Sequence, residues 1–83
     1  MNRPLTLYSR SGCHLCEQML AEIHTRYGDS LEVCLVDVDS DAALKARYGL
    51  RLPVLAAGEV IVCMGRLDPS ALEAWLAAAE VRS

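Results

Sequence analysis

No apolar run in this chain approaches the ~20 residues that span a bilayer, and Met1-Asn2-Arg3-Pro4 leads into a strand-like segment rather than the apolar core of a secretion signal. A spanning helix is excluded and a cytoplasmic protein is expected. Internal repeats, linkers and low-complexity tracts are also missing, so one continuous fold has to account for everything. Basic charge is scarce: 8 Lys and Arg stand against 11 Asp and Glu, a net charge of -3 that gives nucleic acid or an anionic membrane no purchase. With 83 residues there is apolar surface for one core only, so residues 1–83 are expected to form a single, monomeric domain.

What the chain does have is 53% apolar residues and 4 cysteines, 2 of them in Ser11-Gly12-Cys13-His14-Leu15-Cys16. In a small secreted protein four cysteines suggest a disulfide framework. In the reducing cytosol catalytic or metal-binding roles gain.

The motif follows Leu5-Thr6-Leu7-Tyr8, a β-prone run ended by Ser9, Ser11 and Gly12. From there Cys16, Met19, Leu20, Ile23 and Tyr27 fall on one helical face, which predicts a helix over 14–27 closed by Gly28. Leu31 to Val38 is nearly continuous in apolarity, as expected of a strand covered on both faces and parallel to the first across a right-handed crossover. Asp39, Ser40 and Asp41 offer cap oxygens to a short helix over 42–48, with Gly49 in the place of a left-handed cap. Residues 53–56 and 60–64 flank Ala57-Gly58-Glu59 and predict an antiparallel hairpin. Asp68-Pro69 starts a last helix whose buried stripe is Leu72, Trp75, Leu76 and Ala79. The expected order is β-α-β-α-β-β-α.

This placement makes the paired thiols unequal. Cys13 lies at a helix start, where unpaired amides and the positive end of the dipole favour an anion, so its pKa should fall below the ~8.5 of a free thiol. Cys16 lies one turn further in, on the buried face with Met19 and Ile23, and should be harder to ionise. Cys13 is thus the expected nucleophile and Cys16 the resolving thiol. His14 and Leu15, between them, are placed to tune the couple and its partners.

A structural zinc site would need two further ligands from Cys34, Cys63, His14 and His24, and neither Cys34 nor Cys63 belongs to a second close pair. A structural disulfide across two residues constrains the unfolded chain very little. Cys34 and Cys63, single thiols in apolar strands, are expected to be buried packing residues. His24 is expected near the surface, without function.

Taken together, these residues resemble the thioredoxin fold superfamily, and within it the glutaredoxin-like bacterial proteins with a Cys-His-Leu-Cys motif. The resemblance runs through the strand at Leu5–Tyr8, the Cys13–Cys16 motif, the hairpin and the last helix, with Arg51-Leu52-Pro53-Val54 as its second signature. It implies a four-stranded mixed sheet in the order 2-1-3-4, flanked by helices, and a cis Leu52–Pro53 bond opposite the thiols. Leu52 and Pro53 would shape a groove for an extended substrate. Glutaredoxins proper carry Cys-Pro-Tyr-Cys after a lysine, a Thr-Val-Pro segment and a Gly-Gly turn; this chain has Arg51-Leu52-Pro53 and Met64-Gly65-Arg66 in the matching places. Gly65 would line the far side of the groove, and Arg10 or Arg66 would stand in for the lysine as partner of a glutathione carboxylate.

The resemblance implies a thiol-disulfide oxidoreductase with no bound cofactor and no metal, which takes glutathione or disulfide-containing proteins as partners. The rival is an adaptor of the same fold with little turnover, holding a metal through Cys13 and Cys16.

Overall fold

The computed structural model describes residues 5–82; nothing is assigned to the side-chain surroundings of residues 29 and 79–82. Strand β1 (Leu5–Ser9) runs into helix α1 (His14–Tyr27), strand β2 (Val33–Asp37), helix α2 (Ala42–Tyr48), the hairpin β3 (Val54–Ala57) and β4 (Val60–Met64), and helix α3 (Pro69–Arg82). The four strands form one sheet in the order β2-β1-β3-β4. β1 and β2 are parallel, and the other two pairings are antiparallel. The order is the one the resemblance implies, and the parallel first pair and the antiparallel hairpin are those expected from the sequence.

Alternation along β1 decides which side chains serve which layer. Leu5 and Leu7 point to one face and, with Leu55, meet Met19 and Ile23 of α1 and Leu72 of α3. Tyr8 and Val54 point to the other face and meet Tyr48 of α2 and Val38. The Tyr8 and Tyr48 rings stack there with centroids 4.4 Å apart. Burying each of the large aliphatic side chains stabilises the fold by roughly 1.5–3 kcal/mol before chain entropy is subtracted.

Helix starts follow the sequence closely. Asp41 caps α2, its carboxylate accepting the N–H groups of Ala43 at 2.8 Å and Leu44 at 3.4 Å. Asp68 caps α3 by accepting from Ala71, and Pro69 takes the first helical position.

Three expectations are corrected. β2, at the edge where the order 2-1-3-4 places it, is not covered on both faces: Cys34 on one and Leu35 and Asp37 on the other are exposed. A continuous apolar run does not show whether helices reach over both faces of the strand. Leu20, expected in the buried stripe of α1, is 36% exposed and stands outside the core cluster that Met19 and Ile23 join. Gly49 stays right-handed (φ -56°), and glycine is needed there because a side chain would run into the Lys45 carbonyl.

Candidate active site

The loop after β1 is shaped by backbone contacts. Gly12 takes a positive φ of 78°, and the Cys13 N–H donates to the Arg10 carbonyl at 3.1 Å, which brings Cys13 to the mouth of α1 in extended conformation. Cys13 is the N-cap of α1. Its sulfur accepts the Cys16 N–H at 3.2 Å, the bond a serine or aspartate cap ordinarily makes. The two sulfurs are joined in a disulfide, with the Cα atoms 5.2 Å apart. Cys13 is half-buried, whereas Cys16 is 3% exposed on the face it shares with Met19 and Ile23. On reduction, the Cys16 N–H and the positive end of α1 both act on the Cys13 sulfur.

On one side of the disulfide the sheet gathers several of the residues singled out from sequence. Tyr8 pairs with Val54, so Leu52 and Pro53 come to the end of β1 where the cysteine loop starts. The Leu52–Pro53 bond is cis, as expected. Pro53 is buried, and Leu52 packs half-buried against Val38, Tyr48 and Val54. The Gly65 N–H donates to the Pro53 carbonyl at 2.8 Å, which ties the end of β4 to this loop. Leu15, 53% exposed, shares a small cleft with Gly65 and Arg66. His14 stands exposed as the first residue of α1.

Arg10 does not join them. Its Nε and terminal nitrogen donate to the two Asp39 oxygens at 2.9 and 3.1 Å, a bidentate pair flanked by Lys45 at 3.9 Å. The hydrogen bond to Arg10 holds the Asp39 carboxyl below its usual range, and the same bond raises Arg10. Arg10 is therefore committed to a carboxylate of its own chain. Arg66 is exposed and has no ion pair among the described residues, so of the two cations it is the one open to an anionic ligand.

Sequence reasoning missed the other side. Between α1 and β2 lies a pocket of about 380 Å³, in which Leu20 and Leu35 face the two cysteines. The sequence signal was Leu35 itself, two residues before the end of a strand parallel to β1. Its exposure could be read only once the α1 face of β2 was seen to be left open.

Cys34 and Cys63 also depart from expectation: Cys34 is exposed on β2 and Cys63 half-buried on β4. Burial pushes the Cys63 thiol up, and the nearby Asp68 carboxylate adds to the shift, against an opposing backbone hydrogen bond from Asp68. With the Cys13–Cys16 disulfide intact, iodoacetamide at pH 7 is therefore expected to label Cys34 first and Cys63 several-fold more slowly. Cys63 should catch up only as pH rises, and peptide mapping that found Cys63 labelled first would contradict this. Among the described residues no group of three or more His, Cys, Asp and Glu side chains is placed to hold a metal ion. The zinc reading thus lacks its further ligands there.

Residues 4–77 match the glutaredoxin-like domain family (DUF836). The chain belongs to that family. The X-ray structure of Northeast Structural Genomics target protein XcR50 from X. campestris is similar to this glutaredoxin-like chain, with a TM-score of 0.69 and 39% sequence identity over 89% of this chain and 96% of that one. No curated protein sequence matches it. The glutaredoxin-like domain thus joins a thioredoxin-like sheet to a Cys13–Cys16 disulfide at the mouth of its first helix. Among the described residues no helix is long and apolar enough to cross a membrane.

Proposed function

We propose that this glutaredoxin-like chain is a cytoplasmic thiol-disulfide oxidoreductase that reduces disulfides through Cys13 and Cys16. The observation that carries the reading is the capping geometry: the Cys13 sulfur already accepts the Cys16 N–H at the helix start, while Cys16 is buried behind it. In the reduced protein the Cys13 thiolate attacks one sulfur of a substrate disulfide. A mixed disulfide forms and the other substrate sulfur leaves as a thiolate. Cys16, losing its proton to solvent or to that thiolate, then attacks the Cys13 sulfur. The Cys13–Cys16 bond closes, the second substrate thiol is released, and two electrons have passed to the substrate.

Two molecules of glutathione reverse the cycle by the same exchange and leave as glutathione disulfide. Arg66 and Gly65, beside Leu15, are the residues proposed to meet a glutathione carboxylate and backbone, while Leu52 and Pro53 border the groove for a protein substrate. His14 and Leu15 face the incoming disulfide, and no bound cofactor is needed. The proposed partners are glutathione and disulfide-containing proteins.

The test is equilibration of the protein in glutathione buffers of graded redox ratio, followed by alkylation and mass measurement. Cys13 and Cys16 are expected to change state together as a two-electron unit across the series. A pair that keeps one state in every buffer would sink the proposal.

A further inference from the structure

The pocket between α1 and β2 lies across β1 from Pro53, so it is separate from the cleft of Leu15, Gly65 and Arg66. Cys13 and Cys16 both line it, which puts any occupant beside the reacting sulfurs. Its wall is apolar, with Leu35 57% and Leu20 36% exposed and no other part of the described chain covering them. Its rim is acidic. Glu17 and Asp37 border it and neither makes an ion pair among the described residues, although one Asp37 oxygen accepts the Asp39 N–H at 2.9 Å; the one cation on the rim, Arg10, is held by Asp39 with Asp37 near enough to act on its charge. Ser9, a polar residue only 7% exposed, lines it as well.

An apolar wall ending in carboxylates suits a side chain with an apolar stem and a cationic head. We propose that this pocket receives a lysine or arginine next to the reacting cysteine of a protein disulfide, so that basic segments are the preferred substrates. The inference rests on the oxidoreductase reading and assigns it a substrate class. The stem would lie on Leu20 and Leu35, and the ammonium or guanidinium group would meet Glu17 and Asp37. A glutamate in the same place would face those carboxylates and be repelled. The substrate would therefore cross the disulfide in one direction, its basic residue toward β2 and its anionic groups toward Arg66.

Two peptides, each with one internal disulfide and identical except for Lys or Glu beside a cysteine, decide the matter. The reduction rate of each by the protein is divided by its rate with dithiothreitol, which removes the intrinsic effect of the neighbouring charge on the disulfide. The wild-type protein is expected to favour the lysine peptide about ten-fold at low ionic strength, the combined effect of one partly exposed attraction gained and one repulsion avoided. In ~1 M salt the preference should shrink to about two-fold. Glu17→Gln should reduce it similarly, and Leu35→Ser should slow the lysine peptide more than the glutamate peptide. Equal normalised rates for the two peptides in the wild type, or a preference unmoved by Glu17→Gln and by salt, would overturn the assignment. The neutral disulfide bis(2-hydroxyethyl) disulfide separates the two levels of inference: if it too is not reduced, the oxidoreductase reading itself fails.

Discussion

Replacement of Cys13 by serine is expected to cut disulfide reduction by roughly three orders of magnitude or more, because a hydroxyl at the helix mouth is not ionised at neutral pH and no other thiol reaches that position. Cys16→Ser should behave differently. Its Cys13 sulfur still attacks, yet no neighbouring thiol displaces the substrate, so in the absence of excess free thiol the protein accumulates as a mixed disulfide with glutathione or with a substrate peptide. Intact-mass measurement after quenching in acid reads the difference directly: the Cys16→Ser protein carries the adduct and the Cys13→Ser protein does not. The asymmetry comes from the first turn of α1, where Cys13 is the half-buried cap and Cys16 is 3% exposed. Equal trapping on both variants would show that the two sulfurs are interchangeable and that the capping geometry does not assign their roles.

The largest loss of stability is expected on the α1 side of the sheet. Leu55 is fully buried in the cluster of Leu5, Leu7, Met19, Ile23 and Leu72, so Leu55→Ala leaves a cavity between the sheet and two helices. A cost of about 2–5 kcal/mol follows, a large share of the ~4–12 kcal/mol that a chain of this length commands. Denaturant unfolding should show the midpoint falling steeply. Leu50 provides the contrast: it is fully exposed after α2, and Leu50→Ala should shift stability by no more than about 0.5 kcal/mol. Equal midpoints for the two variants would contradict the packing.

Much of this was readable from residues in order. The spacing of Cys16, Met19, Ile23 and Tyr27 gives α1 its observed limits, and Asp68-Pro69 gives α3 its start, because caps and periodicity are local physics. The order of the strands followed from the resemblance to the thioredoxin fold, and the parallel first pair and the hairpin from the residues themselves. How far the two faces of β2 are covered was not legible. Leu31 to Val38 reads as a strand covered on both faces, and nothing within those residues reports that Cys34 and Leu35 stay exposed at the sheet edge. From that one misreading come the exposure of Cys34, the half-open Leu20 and the pocket beside the disulfide. Arg10 shows a second limit. Its pairing with Asp39 joins residues far apart in sequence, and only the fold reveals that this cation already has a partner.

The free edge of β2 also bears on contact between two copies of the chain. An unpaired strand with Val33, Cys34, Leu35 and Val36 in succession is a template for a second copy. Glu32 and Asp37, both exposed, bracket those four residues. If two copies met antiparallel with their edges fully matched, Glu32 of each would face Asp37 of the other, setting carboxylates against each other at both ends of the ladder. In that register Cys34 would lie opposite Leu35 rather than opposite its own counterpart, so even a collision along the edge would not align two thiols for oxidative cross-linking.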